Sequence, residues 1–223
     1  MVYLCNDRRL GPQIFPWQFP LLSFVSNYER FGQKTPKQFL AEYWDPTKKD
    51  KNGIVVGGWM YGGENDDGFL RIPDPKNGVN ATKLFASPMT LPVGLKVDRF
   101  GSEYGTFIAA ADAPFAQRSL PPDALNTCKD ATKCTPDEQA HPQAYHIYTV
   151  IKELPVCGGP AAPWFEQPGL GTQFDIKNAI PDKVKQNGKT TISDLIDAKY
   201  LQKEDLSKIP PGSGPQKLIG CPC

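Results

Sequence analysis

GLKVDRFGSEYGTFIAAA, residues 94–111, holds two β-like runs, KVDRF and TFIAAA, divided by glycine-bounded turn signals. Short runs that mix apolar, β-branched and aromatic residues between such signals read as strands. The pattern continues outward in both directions. Upstream lie GIVVGGWM (53–60), GFLRI (68–72) and KLFASPMTL (83–91). Downstream come YHIYTVIKEL (145–154), where tyrosine alternates with β-branched residues, and TQFDI (172–176). Closely spaced short strands with one late helix, TISDLIDAKYLQ (191–202), indicate an α+β, β-rich domain with short helices. Thr191 or Ser193 can cap that helix, with Leu195, Ile196 and Tyr200 facing inward. Residues 1–53 form a distinct N-terminal helical and aromatic appendage, and residues 54–223 the domain itself. In the appendage TPKQFLAEYW (35–44) opens with Thr35 as cap and Pro36 at the first helical position, and Phe39, Leu40, Tyr43 and Trp44 recur at helical spacing. Its aromatics read as a small satellite core or as a dimer surface.

Composition narrows the function classes. Lys and Arg number 25 against 24 Asp and Glu, so the basic excess that a global hold on nucleic acid or anionic membrane requires is absent. Any anionic ligand must meet locally placed Arg or Lys. The 23 prolines and 20 glycines of 223 residues exceed ordinary usage of roughly 12%, which favours turns over long helices. No apolar run reaches the ~20 residues of a membrane span, and MVYLCNDRRLGP lacks the regions of a signal peptide. Six cysteines (Cys5, Cys128, Cys134, Cys157, Cys221 and Cys223) include no C-x-x-C. With two histidines only, zinc spacings are missing, and the even count reads as a disulfide framework with connectivity open. Cys128 and Cys134, bounding CKDATKC, are the simplest pair to propose. A sequon at Asn80-Ala81-Thr82 fits glycosylation, and together these features favour a secreted protein.

The familiar catalytic motifs are missing. There is no G-x-x-x-x-G-K-[ST], no G-x-G-x-x-G after a strand and no G-x-S-x-G elbow, and neither His141 nor His146 stands in triad order. What remains is Arg99 and Arg118 on the flanks of the TFIAAA run, each beside an aromatic, Phe100 and Phe115. Arginine forks match phosphate oxygens and aromatic faces stack on flat rings, so these are parts for a dinucleotide site outside the Rossmann fold.

From about Leu91 to Asp175 the chain resembles the tuberculosis necrotizing toxin (TNT) family. The resemblance rests on DRFGSEYG (98–105), PFAQRSLP (114–121), YHIYTVIKELP (145–155) and GPAAPWFEQPGLGTQ (159–173), in that order. The appendage and cysteines look most like the secreted fungal conidial-surface NADases of that family. The resemblance implies hydrolysis of the nicotinamide–ribose bond of NAD⁺, with no metal or cofactor at the reaction centre. It implies that Arg99 and Arg118 bind the pyrophosphate or hold NAD⁺ in place, that Phe100 and Phe107 line a nicotinamide pocket, and that Gln173 is the critical glutamine. His146 falls where the bacterial toxin has a functional histidine, with CKDATKC interrupting the match just before it. Trp164 and Phe165 are candidate pocket walls. The fungal relatives further imply a homodimer, an extracellular, spore-surface or cell-surface location and a structural Ca²⁺. For that ion the segments ENDDG and ISDLIDAKYLQKED offer oxygens but no EF-hand spacing. An ADP-ribosyltransferase is the alternative enzyme, though no R…S…E pattern is present. A non-catalytic secreted binding or adhesion module is the alternative outside enzymes.

Overall fold

The structure is a computed structural model that describes residues 3–13, 21–62, 68–78, 82–127, 142–181 and 188–206. Its strands run in chain order as β1 (Trp44–Asp45), β2 (Gly58–Trp59), β3 (Arg71–Pro73), β4 (Thr82–Leu84), β5 (Ser87–Leu91), β6 (Lys96–Phe100), β7 (Phe107–Ala110), β8 (Tyr145–Val150), β9 (Leu154–Pro160), β10 (Thr172–Asp175) and β11 (Leu201–Lys203). The α-helices are α1 (Pro36–Tyr43) and α2 (Ile192–Asp197). Seven strands form one sheet in the order β11-β8-β6-β7-β10-β9-β5, and every neighbouring pair is antiparallel. The β6–β7 hairpin, folded from residues 94–111, is therefore central, with β8 on one flank and β10 on the other. The β-rich reading with few short helices is what the chain adopts. Among the described residues no helix is long and apolar enough to cross a membrane.

Side chains alternate across a strand, so register assigns each residue to a face. On one face Val97, Ile108, Tyr148, Val150, Val156 and Phe174 pack with Ile192 and Leu195 of α2 into the main core. On the other, Phe100 and Tyr145 stand opposite each other and pack with Phe24, Val25, Phe115 and Leu125. A third cluster joins Phe39 and Tyr43 of α1 to Trp59 and Phe165. Phe39 and Tyr43 of the N-terminal segment thus pack inward into a satellite core.

Local chemistry accounts for the helices. Thr35 Oγ1 accepts from Gln38 N (3.3 Å) and Gln38 Oε1 accepts from Thr35 N (2.9 Å), a reciprocal cap with Pro36 at the first helical position. Thr191 and Asp194 make the same exchange at the start of α2. That helix is shorter than the sequence suggests. It ends at Asp197, Lys199 turns into the left-handed region (φ 60°), and Leu201–Lys203 leave as an edge strand opposite Val150–Tyr148. Leu201, 1% exposed, is buried by that pairing.

Among the described cysteines, Cys5 and Cys157 carry free thiols. Cys128, Cys134, Cys221 and Cys223, as well as His141 and the sequon asparagine Asn80, lie outside the described residues. A disulfide framework is therefore not part of the described fold.

Candidate active site

A cleft of about 430 Å³, open to solvent, lies on the sheet face that carries Phe100. It is bounded by β6, β7 and β10 and by the turn after β7, and its walls include Asp98, Arg99, Phe107, Gln117, Arg118 and Gln173. Asp98, Phe107 and Gln173 share that face by register: Gln173 pairs with Ala109, and Ala109 pairs with Asp98. Arg118 and Gln173 of the sequence-identified residues border one cleft with Asp98 and Phe107, and Arg99 borders it at the end of the hairpin, its β6 position alternating toward the face of Val97 and Tyr148. Arg99, Arg118 and Gln173 come from β6, from the turn at the end of the Phe115–Gln117 helical turn and from β10.

Arg118 is nearly buried, and its charge is met inside the protein. Its Nη1 donates to Asp98 Oδ1 (2.5 Å), its Nη2 to Asp98 Oδ2 (2.8 Å) and its Nε to the Ala113 carbonyl (2.9 Å). The guanidinium lies over the Phe100 ring, 5.1 Å from its centre. The Asp98 carboxylate is fully buried and accepts a third bond from the Tyr145 hydroxyl (3.0 Å). Burial pushes the Asp98 carboxyl above its ordinary pKa, against the pull of Arg118 and Tyr145. Burial likewise pushes the Tyr145 phenol up.

Arg99 is in the opposite condition. Its Nε donates to the Ser102 carbonyl (2.8 Å) and its Nη1 to the Phe107 carbonyl (2.6 Å), clasping the hairpin turn. No carboxylate lies on it among the described residues, and burial holds its pKa below the ordinary value. It stays charged at any working pH. Gly105 makes room for it, since a Cβ at that position would overlap the guanidinium. Arg99 is thus the arginine bordering the cleft whose charge no carboxylate meets among the described residues.

Gln173 is held by one end. Its Nε2 donates to the Gly68 carbonyl (2.6 Å), which also accepts from Ala162 N (2.9 Å). Its Oε1 has no donor among the described residues and is available to a ligand. The Phe107 ring stands beside it, edge-on to Phe69 (5.9 Å between centres). The neighbouring wall is fixed by backbone contact: Gly171 N donates to the Gln117 carbonyl (2.9 Å), and a Cβ on Gly171 would come within 2.6 Å of that oxygen.

The remaining candidates stand elsewhere. Phe100 borders the cleft but is 6% exposed and packs with Phe115 and Tyr145, so it is a floor rather than an open ring face. Phe115 is fully buried beneath it. Trp164 packs on Tyr43 and Phe165, donates to the Met60 carbonyl (2.7 Å) and is not a wall of this cleft. His146 pairs with Arg99 across β6–β8, 6.3 Å from the Tyr148 ring, and also lies off the cleft wall. Asp98, Tyr145 and Gly68 were not singled out from the sequence. Asp98 could have been. It shares strand parity with the aromatic Phe100, and a charge on an apolar face requires a partner.

Among the described residues no group of three or more His, Cys, Asp or Glu could hold a metal ion. In the acidic segment 192–205, Asp194 is engaged in the α2 cap. Glu64 to Asp67 of ENDDG lie outside the described residues. A calcium ligand set is not present among the described side chains.

Known proteins bear on this geometry. The family model described as Tuberculosis necrotizing toxin matches residues 90–203. The chain is 41% identical over 206 residues to the conidial surface nicotinamide adenine dinucleotide glycohydrolase nadA of Aspergillus fumigatus, covering 92% of this chain and 73% of that protein. A solved structure of tuberculosis necrotizing toxin complexed with its immunity factor is similar at a TM-score of 0.49 and 15% identity, over 90% of this chain and 88% of that one.

Proposed function

The chain belongs to the tuberculosis necrotizing toxin family, and from that premise we propose that it is an NAD⁺ glycohydrolase, cutting the nicotinamide–ribose bond to give nicotinamide and ADP-ribose. The observation that carries the reading is the cleft's composition. It sets a cation that no described carboxylate meets, Arg99, a charge-neutral pair, Asp98–Arg118, an aromatic wall, Phe107, and a free amide oxygen on Gln173 around one space.

The chemistry suits these parts. Nicotinamide departs as a neutral molecule from a pyridinium cation, so no general acid is needed. Positive charge grows on the ribose, and ordinary glycosidases meet that demand with two carboxylates. The carboxylate on this cleft wall, Asp98, has both oxygens bound, so the chain contributes by orientation. Arg99 offers the charge that the pyrophosphate of NAD⁺ requires. Phe107 presents an aromatic face or edge to the nicotinamide ring. Gln173 Oε1 accepts from a ribose hydroxyl or from the attacking water, its nitrogen being held by Gly68.

Incubation with NAD⁺ followed by chromatography tests the reading. Nicotinamide and ADP-ribose should appear in equal amounts without an acceptor protein, which also separates hydrolysis from ADP-ribose transfer. Gln173→Ala should reduce release by about a thousandfold, comparable to losing a preorganised polar group in other enzymes, with an unchanged far-UV spectrum. Intact NAD⁺ after incubation with the parent protein would overturn the assignment, and near-parental turnover in Gln173→Ala would overturn the role of that residue. NADP⁺ belongs in the same assay.

The fungal relative's name places that protein on the conidial surface, and this reading extends an extracellular location to the present chain. Secretion would be accompanied by disulfides among the cysteines other than Cys5 and Cys157 and a glycan on Asn80. A homodimer is part of the same reading. Its support is the exposed apolar row Ile54, Val55 and Val56, at 60, 56 and 56% exposure; light scattering of the purified protein decides it.

A further inference from the structure

Arg118 has five N–H donors, and three of them are occupied within the chain, by Ala113 O and by both oxygens of Asp98. One proton on each terminal nitrogen remains for the cleft. Because the carboxylate grips both ends of the fork, the guanidinium plane cannot swing, and Phe100 and Phe24 lie 5.1 and 5.9 Å from its carbon. The carboxylate is itself fixed by the Tyr145 hydroxyl, whose ring is 1% exposed and packed on Phe24 and Phe100.

This arrangement has an electrostatic consequence. NAD⁺ already carries its positive charge on the nicotinamide ring, and cleavage moves that charge about one bond length onto the ribose; a bare guanidinium nearer the ribose would oppose the move. At an effective dielectric of about 20 and a distance of roughly 6 Å that opposition slows the step about two- to threefold, so the fixed aim of the donors is the larger part of what the carboxylate supplies. A carboxylate within hydrogen-bond distance of the guanidinium removes most of that opposition while leaving its donors in place. Arg99, which has no such partner among the described residues, is the cation left for the anionic part of the substrate.

We propose that Asp98, held by Tyr145, is a positioning residue that fixes the aim of Arg118 and, by cancelling its charge, eases the shift of positive charge from the nicotinamide ring onto the ribose. The inference rests on the reading of the cleft as the NAD⁺ site. It separates two roles that the motifs leave equivalent: Arg99 attracts the anion, and the Asp98–Arg118 pair supplies neutral hydrogen-bond donors near the reacting sugar.

Steady-state kinetics of nicotinamide release with the full chain test it. Asp98→Asn keeps the shape of the side chain and removes its charge. Its kcat is expected to fall about tenfold or more, chiefly because Arg118 loses its fixed aim, while KM for NAD⁺ stays within threefold of the parent or decreases, because an uncancelled cation holds the anionic pyrophosphate at least as well. A general loss of folding would not divide the two constants this way. Tyr145→Phe keeps the carboxylate and its charge but removes one of its anchors, so kcat at neutral pH should fall, by less than in Asp98→Asn. Its acid limb should move. The groups facing Asp98 are Arg118 and the Tyr145 hydroxyl, which favour the ionised form, and Asp112 across the turn after β7, which opposes it. Losing the Tyr145 hydrogen bond raises the pH at which Asp98 takes up a proton and uncancels Arg118, so kcat falls off earlier on the acid side.

A folded Asp98→Asn protein with kcat within threefold of the parent overturns the proposal. If Asp98→Asn does not fold, an acid limb in Tyr145→Phe superimposable on the parent's overturns it. A parent protein that leaves NAD⁺ intact overturns the site reading and the proposal with it, whereas normal parental turnover alongside either of the first two results overturns the proposal alone.

Discussion

Arg99 keeps its place in the β6–β7 turn at the rim of the cleft only because Gly105 has no side chain. The guanidinium lies against that glycine, with Nε on the Ser102 carbonyl and Nη1 on the Phe107 carbonyl. Gly105→Ala places a methyl group where the guanidinium sits, so the side chain must leave while its charge remains. KM for NAD⁺ is expected to rise about tenfold, the magnitude of one misplaced charge-assisted hydrogen bond, with kcat much less affected. Combining it with Arg99→Ala should add almost nothing to Arg99→Ala alone, since both remove the same interaction. Initial-rate measurements on the two single variants and the double variant check this, and fully additive losses would show that Gly105 acts elsewhere. Such residue-scale detail was only partly legible in the sequence. The types at 99, 107, 118 and 173 could be picked out from family-like motifs and from arginines beside aromatics. That Arg118 is cancelled and Arg99 is not depends on which residues face each other across β6, β7 and β10, and neither spacing nor composition encodes that. Phe115 illustrates the limit. It neighbours an arginine of the cleft in sequence, yet lies fully buried beneath it.

The element that delivers Gly171 to the cleft wall is the connection from Pro163 to Gly171. It carries three non-glycine residues in the left-handed region, Phe165 (φ 52°), Glu166 (φ 59°) and Leu170 (φ 70°), a conformation that costs free energy unless the surroundings enforce it. The surroundings do. Gly169 N and Gly171 N donate to the carbonyls of Ala116 and Gln117, Gln167 Nε2 donates to Glu29 O (2.8 Å), and Glu166 accepts from Tyr43 (2.6 Å) and Lys34 (2.9 Å). The Tyr43 and Lys34 bonds hold the Glu166 carboxyl below its ordinary pKa. A depressed acid pKa in the folded state contributes stability that is present above the unfolded value, near 4.3, and is lost as pH falls through the folded value. Glu166→Gln should therefore melt below the parent at pH 7, and the difference should shrink as pH falls below the unfolded value and vanish below the folded one. A constant gap across that range in thermal melts would assign the loss to packing instead. At this scale the strands and both helix starts were legible, because turn residues, alternation and Thr caps are local signals. The end of α2 was not. Leu201 to Lys203 continue a helical pattern, and it is the free edge of β8 that draws them into the sheet.

At the scale of the molecule, the sheet has a core on each face, and the face that bears the cleft is completed by the N-terminal segment. Phe24 and Val25 cover Phe100, Phe115 and Tyr145, the residues beneath Arg118, while Phe39 and Tyr43 cover Phe165 and Trp59. The described residues of the first 53 therefore stand in the structural path to the candidate cleft, although none of those described lines it. Truncating one buried aromatic costs about 3–5 kcal/mol, and a whole domain is stable by only about 5–15 kcal/mol. Phe24→Ala should lower the melting temperature by roughly 10 °C. It should also reduce turnover, because its ring lies 5.9 Å from the guanidinium that Asp98 holds. Removing residues 1–53 takes away Phe24, Val25, Phe39 and Tyr43 together, more than the domain's whole margin. The 54–223 fragment should then lack a cooperative thermal transition and bind a hydrophobic dye, as chains with exposed apolar surface do. Calorimetry on the fragment and on Phe24→Ala decides the matter. A fragment that melts cooperatively near the parental temperature would make the first 53 residues a true appendage, and the aromatic cover over the site dispensable.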